Sequence, residues 1–181
     1  DSAEQKIYDI RQGRDVKGLT PLNDVVYGAY DRLAKITGPD KEKYLGAKTG
    51  FTKLDIVTTG LNRSDLILLA ARPGMGKTSF AMNIALRVAR RSEKEVAVFS
   101  LEMSKEQLTN RLFSMESHVD AQKIRTGDLT EQEWAELVET AGNIGESRLI
   151  IDDTPAITVS ELRSKCRKYK MEFGLEMIII A

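Results

Sequence analysis

The sequence predicts an α/β fold with a largely parallel sheet. Four apolar stretches typical of buried strands alternate with amphipathic helical patterns between residues 66 and 180. Parallel strands need a crossover connection, and a helix is the usual one. The first of these strands leads directly into a glycine-containing loop and then a helix, which is the order in which a phosphate-binding loop (P-loop) is built.

Composition fits one domain, with or without an appendage, because the chain has 181 residues and is 41% hydrophobic. Basic and acidic residues number 27 each, so bulk charge gives no argument for a nucleic-acid partner. The single cysteine, Cys166, rules out an internal disulfide framework and suits a reducing compartment. No apolar run has membrane-spanning length and no signal peptide is visible, so we expect a cytoplasmic protein without membrane contact.

Two helices are expected before the α/β region. The first covers residues 2–11, and the second covers residues 20–36 with Thr20 as its N-cap and Pro21 in its first turn. The apolar residues of the second helix lie on one face: Leu22, Val25, Val26, Ala29, Tyr30, Leu33 and Ile36. Residues 40–50 follow and have the composition of a linker.

The α/β region contains alternating predicted elements. The strands are expected at residues 66–71, 96–101, 148–152 and 176–180. The helices are expected at residues 51–57, 77–91, 104–117, 121–125, 130–144 and 158–173. Two of these helices begin with a capping-box pair, Ser104 with Gln107 and Thr130 with Glu133.

The P-loop pattern defines a candidate nucleotide site. It comprises Ala71, Arg72, Pro73, Gly74, Met75, Gly76, Lys77, Thr78 and Ser79. The backbone N–H groups of the loop and of the helix N-terminus would face a triphosphate, and Gly74 and Gly76 would allow the backbone to approach it closely. Lys77 would reach the β- and γ-phosphates, and the Thr78 hydroxyl would bind Mg²⁺. Ala71 replaces the first glycine of the pattern G-x-x-x-x-G-K-[ST] but still permits a tight exit from the strand. The alternative is an ordinary strand–loop–helix junction with a solvated lysine.

Acidic residues follow the predicted strands. Glu102 comes just after the second strand, at the sheet edge where ligands of open parallel sheets bind, and could orient the water that attacks the γ-phosphate. The alternative is a helix N-terminal acid favoured by the helix dipole. For the acid on the magnesium side, the residue pattern favours Asp152, because the more apolar strand at 176–180 is followed by Ala181.

The other polar and aromatic residues have simpler interpretations. One predicted helix carries a basic run that we interpret as a solvated face: Arg163, Lys165, Arg167, Lys168 and Lys170. Cys166 and Tyr169 of the same helix should face the sheet. His118 has no cysteine or carboxylate constellation beside it, so we expect no metal site there, and we assign Trp134 to the core.

Several separate motifs together resemble one known family. They are residues 49–55 (TGFTKLD), 70–78 (AARPGMGKT), 99–103 (FSLEM), 125–127 (RTG) and 151–155 (IDDTP). In this set and order the chain is similar to the DnaB family of replicative DNA helicases over nearly its whole length. Alanine at position 71 is ordinary for that family.

The resemblance implies a domain division. Residues 1–19 would be the tail of an N-terminal domain, and residues 20–49 a linker helix and linker. Residues 50–181 would be a RecA-like P-loop NTPase core, truncated at its C-terminus. The family's second acidic motif follows the strand at 176–180, so Asp152 loses the magnesium role, and Ala181 stands where the family has its Asp.

The resemblance also implies a function. The parent would be an ATP-driven hexameric helicase that unwinds duplex DNA, with ATP and Mg²⁺ bound by the P-loop, Thr78 as metal ligand, and Lys77 and Glu102 as catalytic residues. Residues 20–36 would hold the homo-oligomer together. Single-stranded DNA, primase and a helicase loader would be partners of the intact protein, and this chain alone would hydrolyse little ATP.

Two other functions stay open. One is another RecA-like ATPase, such as a recombinase or a clock-type ATPase, although the motifs at residues 100–103 (SLEM) and 152–155 (DDTP) argue against it. The other is a nucleotide-binding assembly module that captures loader or primase proteins without catalysis.

Overall fold

The structure, a computed structural model, describes residues 21–181 apart from residues 40, 42, 43 and 93. The helix predicted at residues 2–11 therefore lies outside the described residues. The chain divides into two compact units, the first ending at Leu45 and the second spanning Gly46–Ala181. None of the helices in the described part of the chain combines the length and the apolar character needed to cross a bilayer.

In its described residues, the first unit contains one long helix, α1 (Leu22–Thr37). The N-cap is Pro21, whose carbonyl accepts from the N–H groups of Asp24 and Val25, so the prediction of Thr20, which lies outside the described residues, as the N-cap is wrong. The φ of −56° at Pro21 lies within the narrow range that the proline ring permits. Gly38 ends the helix as predicted. The helix has no buried residue, and its large apolar side chains are exposed: Leu22, Val25, Val26, Tyr27, Tyr30 and Leu33.

The second unit contains all the other elements. They are α2 (Thr52–Thr58), α3 (Lys77–Arg91), β1 (Glu95–Phe99), α4 (Lys105–Ser117), α5 (Ala121–Thr126), α6 (Glu131–Gly145), β2 (Leu149–Asp152), α7 (Val159–Glu172) and β3 (Leu175–Ile180). The ends of each helix in this unit lie within one residue of its prediction. Both predicted capping boxes are confirmed, and Thr158 with Glu161 forms a third at the start of α7.

The sheet has three parallel strands in the order β2-β1-β3. Phe99 at the end of β1 is in register with Asp152 on one side and with Ile180 on the other. The carboxyl ends of the three strands therefore lie at one edge of the sheet, which is the edge where ligands of open α/β sheets bind.

The strand predicted at residues 66–71 is not present in the described structure. Leu66 and Leu68 are 87% and 85% exposed, and the segment has no regular secondary structure. Five consecutive apolar residues favour a buried strand, but a strand is stabilised by a hydrogen-bonded neighbour and by covered faces. Because neither is provided here by the described residues, the pattern alone does not produce a strand.

The core lies between one face of the sheet and helices α3 and α4. Its members are Met82, Ile84, Ala85, Leu86, Val88, Ala89, Val96, Val98, Leu108 and Leu112. Helix α7 covers the opposite face, where Cys166 and Tyr169 line a cavity of about 50 Å³ with Ala97 and Ile150. The predicted orientation of Cys166 and Tyr169 is therefore confirmed.

The prediction that Trp134 lies in the core is wrong. Helix α6 buries the stripe that contains Leu137 and Thr140, whereas Trp134 is 55% exposed and Val138 is 68% exposed. Residues four apart share a helix face, so Trp134 and Val138 stand together on the solvent side. The sequence shows the apolar residues of this helix but not which stripe meets the rest of the fold.

Candidate nucleotide-binding site

The loop before α3 has the backbone conformation that its glycines permit. Gly74 and Gly76 have φ values of +77° and +82°, in the left-handed region that other residues adopt only with strain. A turn closes where the N–H of Met75 donates to the carbonyl of Arg72 at 3.2 Å. A Cβ at either glycine would meet no atom of the protein within 4 Å, so the backbone angle, and not crowding within the chain, requires glycine at both positions.

The N-terminus of α3 has no side-chain cap. Gly76 is its N-cap and supplies no side-chain hydrogen bond to the first turn. The first N–H groups of a helix lack partners within it, and they carry the positive end of the helix dipole. Lys77 at the start of this turn is exposed, while Thr78 and Ser79 are half-buried. This is the arrangement that binds phosphate at a helix N-terminus.

A preceding segment braces α3 from behind. Phe51 packs against Phe80 with ring centroids 5.0 Å apart, and the guanidinium of Arg87 lies over Phe51 at 4.5 Å. Arg87 also donates from Nη1 to the carbonyl of Gly50 at 2.8 Å. Gly50 has φ +85°, and a Cβ there would come within 2.8 Å of Arg87 Cδ. The motif at residues 49–55 therefore supports the helix that starts at the P-loop, a role that sequence reasoning missed.

Asp55 holds this bracing segment in place. One carboxylate oxygen accepts from the N–H and the hydroxyl of Thr49, at 2.8 and 2.7 Å, and the other accepts from the N–H of Gly50 at 3.0 Å. Desolvation by burial raises the pKa of Asp55, but the three hydrogen bonds outweigh it, and the pKa falls below its ordinary value. The carboxylate therefore stays charged and keeps accepting at neutral pH.

Helix α4 also contacts the first turn of α3. Arg111 Nη1 lies 3.5 Å from the hydroxyl oxygen of Ser79, a long hydrogen bond, and Asn83 Nδ2 donates to the Ser79 carbonyl at 3.0 Å. Nothing in the local sequence pattern indicates Arg111, because its partner is 32 residues away.

Glu102 lies in an exposed turn at the carboxyl edge of the sheet. The turn is tied to the ends of both neighbouring strands. The N–H of Ser100 donates to the backbone carbonyl of Asp152 at 2.8 Å, and the N–H of Leu101 donates to the carbonyl of Ala181, just after β3, at 2.6 Å. Helix α4 begins only after its N-cap, Ser104, and the acid in its first turn is Glu106. Glu102 therefore stands before the helix and outside its capping box.

Asp152 is paired with a neighbouring helix. Its carboxylate accepts from Lys165 Nζ at 2.5 Å and from the N–H of Thr154 at 2.9 Å. Burial raises the pKa of Asp152, but these hydrogen bonds outweigh it and lower the pKa below its ordinary value. Lys165 is thus half-buried and paired, which corrects its place in the predicted solvated face; the other four basic residues of the run are exposed.

The fold and the site together define a class of protein. A parallel sheet with helices on both faces, and a glycine loop that leads into a helix, is a RecA-like α/β fold, and the predicted fold class is confirmed. The family model for the DnaB-like helicase C terminal domain matches residues 46–181. This chain belongs to that family.

Individual relatives agree with the family assignment. The chain is 45% identical over 178 residues to the replicative DNA helicase DnaC of Bacillus subtilis (strain 168), covering 98% of this chain and 39% of the relative. It is 44% identical over 180 residues to the replicative DNA helicase DnaB of Geobacillus stearothermophilus, covering 99% of this chain and 39% of that relative. The solved structure of a DnaB-like replicative helicase, described with its interactions with primase, matches with a TM-score of 0.77 at 28% identity. The match covers 98% of this chain and 42% of the chain in that structure. The chain thus spans about two fifths of the length of these relatives.

Proposed function

We propose that this chain is part of an ATP-dependent replicative DNA helicase and that its second unit supplies the nucleotide site. The observation that carries the proposal is the loop before α3, with two glycines at positive φ and an uncapped helix N-terminus behind them. Family membership supports the same conclusion. The proposed cofactors are ATP and Mg²⁺.

The roles of the site residues follow from their chemistry. Backbone N–H groups between Ala71 and Ser79, apart from Pro73, which has none, would hold the phosphates, and the Lys77 ammonium would neutralise the β- and γ-phosphate oxygens. The Thr78 hydroxyl would bind Mg²⁺. Glu102, exposed at the carboxyl edge of the sheet, would act as the general base that orients water toward the γ-phosphate.

The first unit would mediate assembly. The exposed apolar face of α1 is a helix surface that another protein chain can cover, and Val26, Tyr30 and Leu33 are its proposed anchors. We assign it to the motor domain of an adjacent subunit in a hexamer, with residues 20–49 as the linker region after an N-terminal tail at residues 1–19. In the full-length protein, single-stranded DNA, primase and a helicase loader would be the partners, and the site of action would be the cytoplasm.

The test is nucleotide binding by the Lys77→Ala variant in calorimetric titration with ATP and Mg²⁺. A charge-assisted contact contributes about 1.5–3 kcal/mol, so we expect affinity to fall by at least about tenfold. Lys53→Ala, an exposed lysine on α2, is the matched control and should bind normally. Equal affinities of the wild-type and Lys77→Ala proteins would refute the P-loop assignment.

A further inference from the structure

The loop after β2 reaches across the sheet edge to the start of α4. Asp153 Oδ2 accepts a hydrogen bond from the backbone N–H of Lys105 at 3.0 Å, although the two residues are 48 positions apart. The ammonium of Lys105 lies farther away, 3.8 Å from Asp153 Oδ1, and its side chain is 62% exposed. The contact is therefore chiefly one between a carboxylate and a helix N–H group.

The carboxylate of Asp153 supplies a hydrogen-bond acceptor that the capping box of α4 does not provide. The Ser104 hydroxyl accepts from the N–H of Gln107, and the Gln107 side chain accepts from the N–H of Ser104. The N–H of Lys105, at the first position of the helix, has no partner within the helix. Asp153 provides an acceptor for this N–H group, and the negative charge of its carboxylate is favoured at a helix N-terminus.

The same contact fixes one end of the turn that carries Glu102. At the other end, the N–H of Met103 donates to the hydroxyl of Ser100 at 3.2 Å, and Ser100 is buried. In the part of the chain that the structure describes, every N–H from Ser100 to Lys105 has an acceptor except that of Glu102. The turn is thus held on both sides of an exposed carboxylate.

We propose that Asp153 is a positioning residue for Glu102, holding the first turn of α4 so that the Glu102 carboxylate can take the proton of the attacking water. The water oxygen then bonds to the γ-phosphorus as the bond to the β-phosphate oxygen breaks, which releases ADP. This inference rests on the proposed function, in which Glu102 is the general base. Displacement of a reacting group by about 1 Å costs up to about a hundredfold in rate. Asp153 itself touches neither nucleotide nor water in this scheme.

The experiment is single-turnover ATP hydrolysis by the full-length protein at saturating ATP and Mg²⁺. Asp153→Ala should slow hydrolysis about tenfold while the dissociation constant for ATP stays within about twofold, because the P-loop is not altered. Asp153→Asn keeps an oxygen acceptor for the N–H and should restore most of the rate. Glu139→Ala removes an exposed acid of helix α6 instead of one at this edge of the sheet, and it should leave the rate constant unchanged.

A second pair of variants tests the same hydrogen bond from its donor side. Lys105→Pro removes the N–H at a helix position that proline favours, and Ser104 already has the extended backbone, with φ −69° and ψ 158°, that a following proline requires. It should slow hydrolysis as Asp153→Ala does. Lys105→Ala keeps the N–H group and should hydrolyse ATP at the wild-type rate. If Asp153→Ala fails to fold, the difference in hydrolysis rate between Lys105→Pro and Lys105→Ala tests the positioning role instead.

The Glu102→Gln background separates this inference from the proposed function. Glu102→Gln alone should slow hydrolysis by about two to four orders of magnitude; an unchanged rate would refute the general-base role itself. If Glu102→Gln is slow but both Asp153→Ala and Lys105→Pro hydrolyse at the wild-type rate, only the positioning role is wrong. Asp153→Ala added to Glu102→Gln should slow hydrolysis no further, and a full additional tenfold loss would also overturn the positioning role.

Discussion

Replacement of Asp55 by alanine should destabilise the second unit strongly. The carboxylate accepts three hydrogen bonds, two of them from Thr49, which is wholly buried. A hydrogen bond to a charged group contributes about 1.5–3 kcal/mol, and a buried donor left without a partner costs about 1–3 kcal/mol. Asp55 is only half-buried, so water compensates in part, and we expect a loss of about 3 kcal/mol for Asp55→Ala. Asp55→Asn presents an amide donor to one of the N–H groups and should lose about 2 kcal/mol.

Urea unfolding measures this loss as a shift in midpoint at constant m-value. Lys53→Ala, at an exposed position of the same helix, is the control and should change stability by less than about 0.5 kcal/mol. The pKa of Asp55 is lowered on folding, so its contribution is complete above the unfolded pKa of about 3.9 and is lost as pH falls through the lower folded value. Asp55→Asn should lack that acid dependence. A loss below about 1 kcal/mol for Asp55→Ala would show that the three contacts do not hold the segment.

Three further predictions test the core, the surface and the assembly. Leu86→Ala, at a position 1% exposed, should cost about 3 kcal/mol in urea unfolding, and a cost under about 1 kcal/mol would contradict its place in the core. Trp134→Ala should cost less than about 1 kcal/mol, and acrylamide should quench the fluorescence of this chain's single tryptophan readily; a protected indole would show that α6 packs on its other face. Val26→Asp combined with Leu33→Asp should lower the mass measured by light scattering without loss of circular dichroism, whereas an unchanged mass would exclude α1 as the assembly surface.

Local signals explain why the helices are predictable. A capping box needs only two side chains three residues apart, so Ser104 with Gln107 and Thr130 with Glu133 could be found in the sequence and are present in the structure. The glycines at positions 74 and 76 are also local signals, because their conformation depends on the backbone angles of the same residues.

Contacts between distant residues explain what was missed. The hydrogen bond from Arg87 on helix α3 to the carbonyl of Gly50 joins residues 37 positions apart. The hydrogen bond between Asp153 and the first N–H group of α4 joins residues 48 positions apart. No periodicity in one segment specifies such partners. The same is true of Trp134, whose exposure depends on which stripe of α6 meets the rest of the unit.

The sequence by itself determined the α/β class, the positions of the helices between residues 51 and 173, and the P-loop pattern with Lys77 and Thr78. These follow from steric and hydrogen-bonding preferences that act within a few residues. Only the tertiary structure decided that residues 66–71 are not a paired strand, that Asp152 binds Lys165, and that the turn of Glu102 is tied to the strands beside it. Those outcomes depend on which strands and helices become neighbours in space, because a ladder or an ion pair exists only when its partner is brought to it.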